Sequence, residues 1–184
     1  MFCATSGMGF RNRRIWQVAD LPHIMNAMKY TLLLLAYSAF GQTPGTLTVT
    51  GDLPMPLTLT LANLAAMPRQ TVRIPNPDGS MAVYEGVSLY DVLKKAGVPF
   101  GGELRGKALA SYVLAKASDG YQVAFTPGEI DPSFGNQTIV IADHWDGAAL
   151  SGNQGSLRLV VPNDHEGARS VRMLEALEFV RLRK

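Results

Sequence analysis

The chain has 184 residues, 47% hydrophobic and 17% charged, with 17 Lys and Arg against 15 Asp and Glu and a single cysteine, Cys3. That is the size of one globular domain, apolar enough to bury a core and too sparsely charged for a disordered chain, and the composition excludes a collagen, a coiled coil and a disulfide scaffold. A formal charge of +2, with no basic run beyond Arg11 to Arg14, supplies no positive stripe for collecting phosphates and argues against a nucleic-acid binder.

Met28-Lys29-Tyr30 is a basic start, Thr31 to Phe40 an apolar stretch and Gly41-Gln42 a small-residue exit, the grammar of a secretory signal peptide. The apolar stretch is about half of the roughly 20 residues that span a bilayer, so export to a periplasmic or secreted location is expected, with no stable membrane span. Ala39 and Gly41 stand three and one residues before a cut at Gly41/Gln42. Met1 to Ala27 then read as a start codon placed too early, with Met28 the true start, or as a long leader. A twin-arginine signal at Arg13-Arg14 is disfavoured, because Asp20 and His23 interrupt the apolar core that should follow. The expected division is 1–41, N-terminal extension and signal peptide, and 42–184, a single domain. Cleavage removes four basic residues and Asp20, leaving 13 basic against 14 acidic. It also removes Cys3, so the mature domain has no disulfide, no thiol nucleophile and no thiolate metal ligand.

Leu47 to Thr50 and Leu57 to Thr60 alternate apolar and hydroxyl residues, the period of half-buried strands, and Gly51-Asp52 and Pro54 supply turn material for an edge hairpin. Thr60 caps a short helix, Leu61 to Met67, stopped by Pro68, and Gln70 to Ile74 resumes a strand before the loop Pro75 to Gly79. Val83 and Tyr84 begin the return. The clearest helix is Ser88 to Ala96: Ser88 as cap, Asp91 three residues on, one face of Leu89, Val92, Leu93 and Ala96, and Gly97 as terminator. Ser111 to Ala117 and Tyr121 to Phe125 flank Ser118-Asp119-Gly120, a hairpin signal. Thr126-Pro127-Gly128-Glu129 is a capping box with Pro at the first helical position. Thr138 to Ala142 and Leu157 to Val161 are continuous apolar runs, expected as central strands. Val171 to Leu182 fits strand and helix spacing equally. Strands outnumber helices throughout, which gives an α+β class with a mixed, strand-rich domain.

Three segments, in order, resemble the molybdopterin-binding domain of the sulfite-oxidase type: Tyr84-Glu85-Gly86-Val87-Ser88-Leu89-Tyr90-Asp91-Val92-Leu93, then Asp119-Gly120-Tyr121, then Leu157 to Pro162 followed by Gly167-Ala168-Arg169-Ser170-Val171-Arg172. The opening from Leu47 to Leu59 also resembles the start of such domains, and the resemblance covers roughly Leu47 to Leu182. It implies an oxidoreductase fold holding molybdenum through a pyranopterin dithiolene, with a protein cysteine completing the sulfur ligands and a redox partner protein. The family places that cysteine between the early strand and the Gly-Val-x-Leu helix, where this chain reads Thr71-Val72-Arg73-Ile74-Pro75-Asn76-Pro77-Asp78. The chain is thus a short, cysteine-lacking relative, and the resemblance leaves its catalytic residues unknown.

The segment matching the family's grip on the pterin and its phosphate is Gly167 to Arg172, with Arg172 where many members have lysine. Arg169, Ser170 and Arg172 offer two guanidinium groups and a hydroxyl, Gly167 allows close backbone approach, and His165 stands beside the loop as a further donor. The bland alternative is that Arg169 and Arg172 are solvated or paired with Glu166 and Glu175. His144 and His165, each flanked by carboxylates (Asp143, Asp146, Asp164 and Glu166), lack a second histidine at ligand spacing, so no metal site is expected. Asp119-Gly120-Tyr121 reads as a turn with a packed tyrosine, and Trp145 and Phe134 as core or rim. Hydrolase and kinase motifs are missing from the sequence.

Two descriptions follow: an exported oxidoreductase-like protein binding a pterin cofactor without a cysteine ligand, or a non-catalytic periplasmic module using the same fold for a small anionic ligand or a partner protein. A metal-dependent enzyme built on the histidine loops is a third.

Overall fold

The computed structural model describes residues 45–76, 78–135 and 137–182. The expected signal peptide and Cys3 lie outside them. Two sheets carry the fold. In the first, β1 (Thr46–Gly51), β2 (Leu57–Thr60), β5 (Ser111–Ala117), β6 (Gln122–Phe125) and β10 (Leu174–Arg181) run in the order β2-β1-β10-β5-β6. In the second, β3 (Arg69–Pro75), β4 (Met81–Ser88), β7 (Val140–Trp145) and β8 (Ala148–Ala149) follow one another, and β9 (Arg158–Val160) also pairs with β7.

The first sheet shows why alternation is a reliable strand signal. Leu47 and Val49 of β1 are fully buried while Thr50 is exposed, and β2 pairs antiparallel beside it at the edge, as the hydroxyl pattern predicts. The ambiguous carboxy-terminal segment becomes β10. It enters between β1, to which it is parallel, and β5, to which it is antiparallel. That central slot buries Leu177 and Phe179 completely and decides strand over helix. The β5–β6 hairpin turns where Asp-Gly predicts: Gly120 N donates to Ala117 O at 3.1 Å, and Asp119 Oδ1 accepts from Tyr121 N at 3.0 Å.

The second sheet is covered on both faces, which explains its unbroken apolar runs. Ile139 and Ile141 belong to the large core shared with the helices and the first sheet, whereas Val140 and Ala142 point into a smaller cluster with Val72, Ala82, Tyr84, Leu150 and Val160. Along β9, Leu157, Leu159 and Val161 join the large core and Val160 the small one. Only β7 is central in the sense expected. The other edge of β9 is met by the chain after Val171: Leu159 N donates to Val171 O at 2.8 Å and Leu174 N to Leu157 O at 2.9 Å.

Helices form at the three expected places. α1 (Leu61–Ala65) starts in a capping box of Thr60 and Asn63, and α3 (Pro127–Ile130) in one of Thr126 and Glu129. α2 (Leu89–Lys95) buries Leu89, Val92 and Leu93 and ends as predicted: Gly97 takes φ +86°, with Gly97 N on Lys94 O at 3.0 Å and Val98 N on Leu93 O at 3.0 Å. Its start differs from expectation. Ser88 is the last residue of β4 and makes no side-chain cap; the Leu89 N–H donates instead to Ile139 O at 2.9 Å. Among the described residues no helix is long and apolar enough to cross a membrane.

Gly86 lies where β4 passes against β7, beside the irregularity in their pairing at Glu85/Gly86. A Cβ there would collide with backbone atoms of Ile141 and Ala142. Gly86→Ala is therefore expected to cost about 3 kcal/mol, in the range of overpacking against an unyielding neighbour, read as a lower urea midpoint; an unchanged midpoint would show that the strands separate freely.

Candidate functional site

The turn between β5 and β6 and the chain between β9 and β10 meet at one end of the first sheet. Asp119 and Tyr121 from the turn, with Gly167, Ala168, Ser170 and Arg172 from the second segment, line an open depression of about 230 Å³. The two walls are joined by the Tyr121 hydroxyl, which donates to Ala168 O at 2.6 Å. Tyr121 is 47% exposed, so it is a wall of the depression and not the packed turn residue that its sequence context suggests.

Of the five residues the sequence singles out, Gly167, Ser170 and Arg172 come together at this depression and Arg169 and His165 do not line it. Ser170 anchors the segment: its Oγ accepts from Val161 N at 3.2 Å and its own N–H donates to Gly167 O at 3.0 Å. Arg172 is exposed and has no carboxylate partner among the described residues. His165 is exposed.

Arg169 is engaged by acids other than the two considered from sequence. Its Nε and Nη2 bind the two oxygens of Asp164 at 2.7 Å each, Nη1 reaches Glu129 Oε2 at 3.2 Å, and the guanidinium lies 5.4 Å from the Phe125 ring centre. The hydrogen bonds that Arg169 donates to Asp164 raise the Arg169 pKa well above its ordinary value, and the same bonds lower that of Asp164. Arg169 is thus a clamp that fastens the loop to α3, while Arg172 stays free for a ligand.

Two further polar clusters lie on the second sheet. Arg69 grips Asp143 through both carboxylate oxygens, at 2.7 and 2.6 Å, and His144 Nδ1 lies 2.8 Å from Asp143 Oδ1. Burial opposes ionisation of Asp143, yet the bonds from Arg69 and His144 outweigh it and hold its pKa below the usual carboxylate value. In the other cluster Arg158 donates through Nη1 to Tyr84 Oη and to Gln154 Oε1, both at 2.8 Å. The available sequence signal for both was a charged residue closing or interrupting an apolar strand run. Trp145 stacks on Tyr84 with ring centres 6.3 Å apart, and Phe134 is 57% exposed. Among the described residues no three His, Cys, Asp or Glu side chains gather as a metal site would require.

Residues 37–184 match the family model described as oxidoreductase molybdopterin binding domain, and the chain belongs to that family. Molybdopterin is therefore the cofactor class that its fold brings. Among solved structures it is similar to the sulfane dehydrogenase SoxCD from Paracoccus pantotrophus, with a TM-score of 0.59 and 21% identity over 74% of this chain and 38% of that one. This likeness shows the strand-rich, sulfite-oxidase-type fold, and the chain spans well under half of the SoxCD chain. A search of curated proteins gave no match.

The residues fit one end of such a cofactor. Arg172, Ser170 and the exposed backbone near Gly167 suit an anionic group, although the depression is smaller than the roughly 300–1,000 Å³ that engulfs a whole ligand. At the metal end, residues 37–184 contain no cysteine to supply a thiolate.

Asp143 and Asp164 both have folded pKa values below their unfolded ones, so the stability they contribute is present above about pH 4 to 5 and lost as pH falls through the folded values. The urea midpoint is expected to be level from pH 7 to 5 and to fall below about pH 4. Asp143→Asn should lower the level part by about 2 kcal/mol, discounted from the buried-pair range because the Arg69 side chain is 34% exposed, and should flatten the acid limb. An acid limb parallel to that of the parent protein would refute this.

Proposed function

We propose that this chain is an exported member of the molybdopterin-binding family that binds a pterin cofactor by its phosphate end, without a cysteine bond to molybdenum. The observation that carries this reading is the depression where Ser170 and an acid-free Arg172 face the Asp119–Tyr121 turn. In this reading Arg169 maintains the shape of the loop and Arg172 meets the anion. Oxygen-atom transfer of the sulfite-oxidase kind is not part of the proposal, because the matched stretch supplies no thiolate to fix and tune the metal. The same absence favours, as the second reading, a periplasmic binding or interaction module that takes a different small anion in the same depression. Export rests on the Met28 to Gln42 pattern, and a redox partner protein belongs to the first reading only.

Full-length protein expressed in a host that makes molybdenum cofactor, recovered from the periplasm and analysed for metal and pterin fluorescence, is expected to carry pterin near one per chain. Its amino terminus should read from about Gln42. Pterin at background level would reject the first reading in favour of the second, and recovery only from the cytoplasm with an intact amino terminus would reject export.

Arg172→Ala is expected to reduce pterin retention at least tenfold with the melting temperature unchanged. Arg169→Ala should instead lower the melting temperature by several degrees. Equal retention in the parent and Arg172→Ala proteins would refute the assignment of the anion end.

A further inference from the structure

The first sheet turns one face to the large core, to which Leu47, Val49, Val113, Phe125, Leu177 and Phe179 all belong. The alternate residues of the same strands form an outer face. A sheet face left to water is expected to be polar. This one is largely apolar. Ala176 and Val180 of β10, Tyr112 and Leu114 of β5 and Ala124 of β6 stand on it, and none of them joins either apolar cluster. Ala124 is exposed and the other four are only half-buried.

The strand register places these residues in rows. Ala176 lies opposite Thr48 on one side and Lys116 on the other, Glu178 opposite Thr50 and Leu114, and Val180 opposite Tyr112. Leu114 in turn faces Ala124, and Lys116 faces Gln122. The face is thus an array of small, branched and aromatic side chains, roughly 20 Å in each direction by strand spacing and rise per residue. Its middle carries the only two charges in these rows. Lys116 Nζ lies 2.5 Å from Glu178 Oε2, diagonally across neighbouring strands, with the side chains 37% and 35% exposed.

That ion pair selects what the face can bind. A face of one sign would seek a partner of the other sign, whereas one cation beside one anion is complementary to itself after a half-turn. A two-fold axis in the plane of contact, passing between Lys116 and Glu178 and perpendicular to the line joining them, sets Lys116 of each copy over Glu178 of the other. One exposed pair becomes a ring of four alternating charges. Within a single chain such a pair contributes little; across the axis it fixes register and rejects wrong pairings.

We propose that the outer face of the first sheet is a homodimer interface, in which two copies pack sheet on sheet about a two-fold axis between Lys116 and Glu178 and close Tyr112, Leu114, Ala176 and Val180 off from water. The small side chains around the axis suit the roughly 10 Å separation of packed sheets. The contact is at the small end of specific interfaces, so the dimer is reversible, half-formed at a concentration on the order of 10 µM. It is independent of whether pterin is bound.

Sedimentation velocity of protein produced from the full chain, run from about 1 to about 300 µM, is expected to show monomer passing into dimer. Lys116→Glu brings four acids to the axis and Glu178→Lys four cations, and each variant alone is expected to dissociate at least tenfold more readily. An equimolar mixture of the two variants joins an acidic face to a basic one and should associate at least as tightly as the parent. The double variant Lys116→Glu with Glu178→Lys exchanges the charges and should regain the parent's dimer constant. Because the pair is exposed, the melting temperature of each diluted variant should stay within about 2 °C of the parent's. A parent chain that remains monomeric at the highest concentration overturns the proposal and leaves the face to a different partner. A dimer indifferent to both single substitutions, or single variants whose mixture stays monomeric, overturns it by placing the contact elsewhere. If a charge variant does not fold, Leu114→Arg beside the axis decides: loss of the dimer supports the interface, and an unchanged dimer overturns it.

Discussion

The site depends on where β10 begins. Its central place between β1 and β5 joins the two ends of the domain, and Leu177 and Phe179 hold it there by complete burial. Because Leu174 is bonded to Leu157 and Val171 to Leu159, the chain just before β10 cannot shift without breaking the edge of the second sheet. Ser170 and Arg172 therefore stand on a framework set by two sheets at once. A ligand-binding segment placed in this way is preorganised, and less ordering is left to occur on binding.

Charge is arranged along this segment with a division of labour. Arg169 meets Asp164 and Glu129 and so stabilises the loop in place. Arg172 and Arg158 meet no acid among the described residues, and Arg158 is held by neutral oxygens from Tyr84 and Gln154. Neutral acceptors orient a guanidinium without cancelling its charge, which leaves its electrostatic attraction available to an incoming anion. The chain carries a formal charge of only +2, so this attraction is local and not a property of net charge.

The family relationship and the missing thiolate bear on different levels. The match over residues 37–184 fixes the architecture and the class of cofactor. Reaction chemistry depends on individual residues, and a fold can persist after a metal ligand has gone. The acid-free arginines occupy one corner of the domain, whereas Thr71 to Pro75, within the stretch where the resemblance places the family's cysteine, lie in β3. The two corners are set by different segments, so the residues of one do not dictate those of the other.

The sequence by itself determined the hairpins, the three short helices and the amino-terminal caps of two of them, because turn chemistry and capping act over three or four residues. Thr60 with Asn63, Thr126 with Glu129, Asp119-Gly120 and Gly97 all behave as local physics requires. It also carried the motif at Gly167 to Arg172 and the lack of any cysteine within the domain. Only the tertiary structure decided the fate of the last segment, where one pattern fits strand and helix until β1 and β5 provide a slot. It alone separated Arg169 from Arg172, since Glu129 lies 40 residues from Arg169 in sequence. Arg158 and Tyr84, 74 residues apart, were illegible as a pair for the same reason. Local preferences are written in neighbouring residues, whereas the partners of a long charged side chain are set by which strands the core brings together.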